Sequence, residues 1–289
     1  MVDRLAALLD HFSVTAEMFH AGTLCGSHWL AAQENMGQLH LIRRGPLTVY
    51  HGSERQHIAQ PSLLLYPRPM PHRFESDVHS GADMVCANLV FAGGVHNSIA
   101  DALPAVVCLP LQEMPDATVV LQLLFEEAFA QRCGRTTVLN RLFEVVLIQV
   151  LRQLMERSQV QGGMLAGLAH PRLRMALVAM HESPATLWTL EALGAQCGMS
   201  RSVFANTFRD IVGCTPGAYL LAWRMAVAQR LLRQGQSLQQ VAEAVGYGSE
   251  TAFSRAFRSH TGVPPRQWRA AQNLPPSQAP QEMASPPLA

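Results

Sequence analysis

Residues 237–268, SLQQVAEAVGYGSETAFSRAFRSHTGVPPRQW, decide how the C-terminal third of this chain folds. Leu238 and Val241 recur at helical spacing before Gly246, and Phe253 and Phe257 stand four apart after it. That pattern predicts two helices on either side of a glycine turn. Two Phe at i and i+4 share one helix face and seal the second helix onto the first, leaving its opposite face outward. The pattern occurs twice. In Leu190–Tyr219, Leu190, Leu193 and Gly198 match Leu238, Val241 and Gly246 at an offset of 48 residues. Phe204, Phe208, Gly213, Pro216 and Tyr219 match Phe253, Phe257, Gly262, Pro265 and Trp268 at an offset of 49. Two helix-turn-helix units are therefore predicted, the first with Thr189 as N-cap. A helix over Ala218–Gln234, stopped by Gly235, joins them, and another over Pro171–Met180 precedes them.

Charge follows the same division. All 22 basic residues are Arg. Residues 1–169 carry 11 Arg against 15 Asp and Glu, whereas 170–270 carry 11 Arg against 5 acidic residues. A basic third beside an acidic remainder points to a nucleic-acid-binding half.

Upstream, short apolar runs (Gln38–Ile42, Leu47–Tyr50, Ser62–Tyr66, Met84–Phe91) alternate with Gly and Pro breaks. They predict a small antiparallel barrel or sandwich. Asp116–Gln131 and Thr137–Arg157 read as a helical hairpin with more apolar surface than it can bury alone, so it packs on the barrel or on a second subunit, with Thr137–Arg157 as part of a dimer face. The fold class is α+β: a β-barrel at 1–115, a helical linker or dimerisation hairpin at 116–158, and a flexible linker at 159–169. An all-α domain with both helix-turn-helix units follows at 170–270, then a disordered tail at 271–289. No apolar run spans a membrane, and the N-terminus lacks a secretory pattern. Six scattered cysteines read as reduced thiols, so the expected location is the cytoplasm.

The doubled motif, with Val245-Gly246-Tyr247, Phe253-Ser254-Arg255-Ala256-Phe257-Arg258 and Gly262-Val263-Pro264-Pro265, closely resembles the AraC/XylS family of bacterial transcription regulators. The resemblance covers about Pro171–Arg269. It implies two units reading adjacent major-groove segments of promoter DNA; a homodimer, from the apolar hairpin, and RNA polymerase are the other expected partners. By position it implies base contacts from Ser202, Ala205 and Asn206 in the first unit and from Glu250, Thr251 and Arg255 in the second. Ala205 departs from many relatives and can only touch a thymine methyl. Arg201, Arg209 and Arg258 are assigned to phosphates.

The N-terminal strands look like a cupin, the usual effector module of that family. Pro67 and His72 match the second cupin motif, but the first motif's His-x-His is missing, with Gln38, Leu39 and His40 in its place. This argues against a metal-dependent cupin enzyme. The segments around Cys25, His40, His72 and Cys86 resemble a subgroup responding to reactive chlorine species. Two Cys and two His make a tetrahedral Zn²⁺ set when they converge. Four readings of the quartet stand open: a Zn²⁺ site, an oxidant-sensitive thiol pair, core packing, or a site for an organic ligand. A regulator governed only by a protein partner or by oligomerisation is the alternative to one sensing a small signal. The remaining N-terminal histidines, His11, His20, His28, His51, His57, His79 and His96, are expected at the surface.

Overall fold

The computed structural model describes residues 3–11, 14–91, 98–130, 132–157 and 162–272. From 273 onward the tail expected over 271–289 lies outside them, as do His96 and the side chain of His11. Two compact units, Met1–Trp223 and Arg224–Ala289, divide inside one helix, and each is described by itself.

The first unit opens with helix α1 (Ala6–His11) and continues as nine antiparallel strands in two sheets. One sheet orders β1 (Val14–Leu24), β8 (Ala82–Phe91), β3 (Met36–Arg44), β6 (Ser62–Tyr66) and β9 (Val107–Pro110). The other orders β2 (Ser27–Leu30), β7 (His72–Ser76), β4 (Leu47–His51) and β5 (Glu54–Ile58). Ile42, Leu64, Met84 and Cys86 of the first sheet meet Val49, Ile58 and Phe74 of the second in one apolar core. The expected cupin-like architecture is therefore present as two facing sheets, not as one closed barrel. All four apolar runs quoted above lie in strands. β1, which has little apolar alternation and starts ten residues before Leu24, escaped the sequence reading.

A helix α2 (Ser98–Ala102) precedes β9, and the expected hairpin is α3 (Thr118–Phe129) and α4 (Arg135–Glu156). α4 buries Leu139, Phe143, Val146, Leu147 and Val150. It also covers the open edge of β1. Asn140 Oδ1 accepts from the Met18 N–H at 2.8 Å, and Glu144 Oε1 from that of Ala16 at 3.4 Å. Side-chain acceptors on a covering helix thus satisfy donors that an edge strand leaves unpaired.

A flexible linker is expected at 159–169, of which 159–161 lie outside the described residues, and the rest differs from it. Gly163–Ala169 form a helix, α5, with Met164, Leu165 and Leu168 buried. The three glycines masked an apolar face that tertiary packing uses. Gly167 is needed there, since a Cβ would sit 2.5 Å from Leu177 Cδ1. α6 (Leu173–Glu182), α7 (Leu190–Gln196), α8 (Arg201–Val212) and the start of α9 (Pro216–Arg233) complete this unit. The second holds the rest of α9, then α10 (Leu238–Ala244), α11 (Glu250–Thr261) and α12 (Pro265–Gln272). Among the described residues no single helix is long and apolar enough to cross a membrane.

Candidate nucleic-acid interface and sensor interior

The two helix-turn-helix units repeat each other in detail. Thr189 Oγ1 accepts from the Ala192 N–H at 3.1 Å to cap α7, while Ser237 and Gln240 form a capping box on α10. Gly198 and Gly246 hold the turns at φ 60° and 81°, a conformation that favours glycine. Ser200 and Ser249 cap α8 and α11, and left-handed Gly213 and Gly262 end them. The rings of Phe204 and Phe208 stand 5.6 Å apart, those of Phe253 and Phe257 5.5 Å, all four fully buried. Tyr219 meets Phe208 edge-on at 5.6 Å, and Trp268 meets Phe257 at 5.9 Å.

With the Phe faces sealed, the opposite faces are outward. Ser202, Asn206, Arg201 and Arg209 on α8 are exposed and Ala205 is half-buried. Glu250, Thr251, Arg255 and Arg258 on α11 are exposed. Arg255 and Arg258 line a surface hollow with Ser254, Ser259, Gly262 and Pro264. Arg201 is already engaged, its Nη1 lying 3.0 Å from Glu191 Oε1. Sequence reasoning missed Arg172, whose guanidinium donates to the Cys197 and Gly198 carbonyls and satisfies the end of α7.

In the sandwich, the quartet does not assemble. His40 and Cys86 are directly opposed across β3 and β8, and His72 reaches over from β7. Cys25 is exposed beyond the end of β1. His20 is the β1 residue level with Cys86, so five further residues at ~3.3 Å each put Cys25 roughly 16 Å along the strand. A Cβ on Gly81, at the start of β8, would lie 2.6 Å from Cys25 Sγ, which agrees with this placement at the mouth. Cys25 therefore joins Cys86 neither in a shared metal site nor in a disulfide without backbone movement. Among the described residues no group of three or more His, Cys, Asp or Glu is placed to hold a metal. The residues do not fit the Zn²⁺ set.

A different centre stands in its place. His72 Nδ1 lies 2.9 Å from the Met70 carbonyl, so that nitrogen carries the proton. His72 Nε2 then accepts from His40 Nε2–H at 3.0 Å, leaving His40 Nδ1 a lone pair that is buried and unpartnered. Both imidazoles are neutral. Burial, with His72 and His20 nearby, holds His40 well below the ordinary imidazole range. Burial draws His72 down to about 4, with His51 adding to the shift, against the raising effect of the Met70 bond. Tyr66 stacks on His72 at 4.1 Å, and its hydroxyl is 3.3 Å from His51 Nδ1. His51, expected at the surface, is buried because it directly opposes His72 on the inner face. Elsewhere the expectation holds for His28, His57 and His79, which are exposed, while His20 is half-buried. Burial pushes the Cys86 thiol up, so it is not a reactive thiolate here.

Comparison with known proteins agrees with both halves. The family described as Cupin matches residues 3–156, and the family described as Helix-turn-helix domain matches residues 193–271. The chain belongs to the AraC-type helix-turn-helix regulators that carry an N-terminal cupin domain. It is 37% identical to an AraC-like transcription regulator of Streptomyces lividans over 61% of this chain and 59% of that one. It is 41% identical to the transcriptional regulator AlkR of Acinetobacter baylyi over 47% of this chain and 45% of that one. The chain thus spans about half to six-tenths of these two relatives. Over 86% of each chain it is 24% identical to RclR, a reactive-chlorine-specific transcriptional activator of Escherichia coli. These relatives are regulators, which sets the enzyme reading aside.

Proposed function

We propose that this chain is a DNA-binding transcription regulator in which α8 and α11 each read a segment of duplex promoter DNA and the sandwich interior senses a small signal. The duplicated Phe seal carries the reading, because it leaves equivalent polar faces outward in both units. Arg255 reads a base edge and Arg209 and Arg258 hold phosphates. Arg255→Ala then lowers affinity for the specific site by about 1–3 kcal/mol and relaxes preference at one operator position. Arg209→Ala weakens all sequences alike and flattens the salt dependence. Equal loss on specific and random duplexes for Arg255→Ala, in fluorescence anisotropy, would abandon the base-reading role. Arg201 contributes less, since binding DNA must first break its pair with Glu191.

The regulator acts as a homodimer in the cytoplasm, with RNA polymerase as its downstream partner. Val138 and Val145 are exposed on α4, as are Val119 and Leu123 on α3, and they form the dimer face. Val145→Glu should give folded monomers by light scattering, where wild type gives dimers at micromolar concentration. A wild-type monomer under those conditions rejects the dimer. Val146 is fully buried, so its substitution would test folding instead.

The sensing centre is the His40–His72 pair. The unpartnered His40 Nδ1 is the acceptor through which a donor, or a proton, alters the interior. A second reading, an oxidant response, is favoured by the exposed Cys25 thiol and the similarity to RclR. Under it, hypochlorite changes DNA affinity of wild type and leaves Cys25→Ser unaffected; equal responses dismiss it.

A further inference from the structure

The outer face of the β2-β7-β4-β5 sheet carries a row that no part of the DNA-binding reading uses. Trp29, Arg73, Tyr50 and Arg55 are successive cross-strand partners, one from each strand. Partners directly opposed in a sheet point to the same side. The adjacent inner row runs Leu30, His72, His51 and Glu54, which sets this row on the side away from the core. The Arg73 guanidinium lies over the Tyr50 ring at 4.3 Å from its centroid, and Arg55 approaches the same ring at 5.9 Å. Trp29 is 66% exposed. Among the described residues neither the Arg55 nor the Arg73 side chain makes an ion pair or hydrogen bond.

We infer that this row is a docking surface for an acidic protein segment, one with carboxylates spaced by apolar side chains. Trp, Tyr and Arg are the residues that dominate protein interfaces energetically. A guanidinium lying over an aromatic ring keeps its N–H fork free to take a carboxylate bidentately. Trp29 offers an apolar platform at one end of the row, and Arg55 a cation at the other. Three interstrand steps span roughly 14 Å, the reach of about four extended residues.

Charge selects protein over nucleic acid. Residues 1–169 carry more acidic residues than Arg, and exposed Glu75 stands in the neighbouring row of this face, opposed to Thr48. A continuous phosphate backbone, charged at every step, would run against that carboxylate, whereas spaced carboxylates reach the two guanidiniums and leave Glu75 to a partner's donor.

The test uses the full-length protein and a fluorescein-labelled peptide of about twelve residues in which Asp-Glu pairs alternate with Leu. A Gln-for-acid peptide and a single-stranded oligonucleotide of similar length are the comparisons. Saturable anisotropy is expected for the acidic peptide alone, weakened about tenfold by Trp29→Ala and by Arg55→Gln with Arg73→Gln. Lys at both Arg positions keeps the charge but loses the fork, and should still weaken binding several-fold. Trp29 and Arg55 are exposed and Arg73 is half-buried on the outer face, so melting temperatures should stay near the wild-type value; should one variant unfold, the Lys pair decides. Three results overturn the inference: no saturable peptide binding, binding indifferent to these variants, or oligonucleotide binding that falls with them. Self-association lost in Trp29→Ala, without peptide binding, would overturn it in favour of a second copy.

Discussion

Phe253→Ala should unfold much of the second unit and remove DNA binding while the first unit stays folded. Phe253 has no exposed surface and touches Tyr247 at 5.9 Å and Phe257 at 5.5 Å between ring centroids. Truncating such a side chain deletes its transfer energy and leaves a cavity, together about 3–5 kcal/mol. The second unit is small, and a loss of about 3–5 kcal/mol is a large share of the stability of any domain. Hydrogen exchange should show lost protection over α10, α11 and α12 with protection retained in β3 and β8. Arg255→Ala, on the outward face of the same helix, should leave protection unchanged. Wild-type protection in Phe253→Ala would mean that the Phe pair does not seal the unit.

Acid should loosen the sandwich through the same pair that forms its polar centre. Folding lowers the His72 pKa from 6.5 to about 4, so between those values the unfolded chain binds more protons than the folded one. Stability is therefore full above pH 6.5 and is lost as pH falls toward 4. For His72 alone the loss is about 2 kcal/mol by about pH 5, and it grows toward about 3 kcal/mol near pH 4. His40, held low by burial, adds in the same direction. Protonating either ring turns the 3.0 Å Nε2 contact into two opposed donors or places a charge among apolar side chains. Thermal melting at about pH 7.5 and about pH 5, either side of the unfolded imidazole pKa, should show the difference, and His72→Phe should shrink it. Coincident melting curves for wild type would refute the coupling.

The C-terminal helices were legible because their determinants are local. A cap, a glycine turn and two Phe four apart stand within about thirty residues, and duplication at offsets of 48 and 49 made the pattern unmistakable. Thr189 is recognisable from sequence as the cap of α7, because its hydroxyl acts within its own helix turn. α5 was not legible in this way. Seven residues with two glycines have no helical signature of their own, and only packing gives Leu165 and Leu168 somewhere to be buried.

The sandwich interior shows the same boundary. Strand positions for His40 and Cys86 followed from the apolar runs, and His72 stood out by the cupin motif it resembles, but neither signal says where along a strand a residue meets its neighbours. The pairing of His20 with Cys86 sets Cys25 at the mouth, and pairing is a property of two distant segments. For the same reason His51 lies inside beside His72, and Trp29, Arg73, Tyr50 and Arg55 form one row although they come from four separate strands. What the sequence alone determined is the doubled helix-turn-helix, encoded by spacing within a segment, and the family that its motifs resemble, whereas the barrel expected upstream is two facing sheets. What tertiary structure alone decided is which distant side chains meet, because register and burial arise only when strands remote in the chain pair.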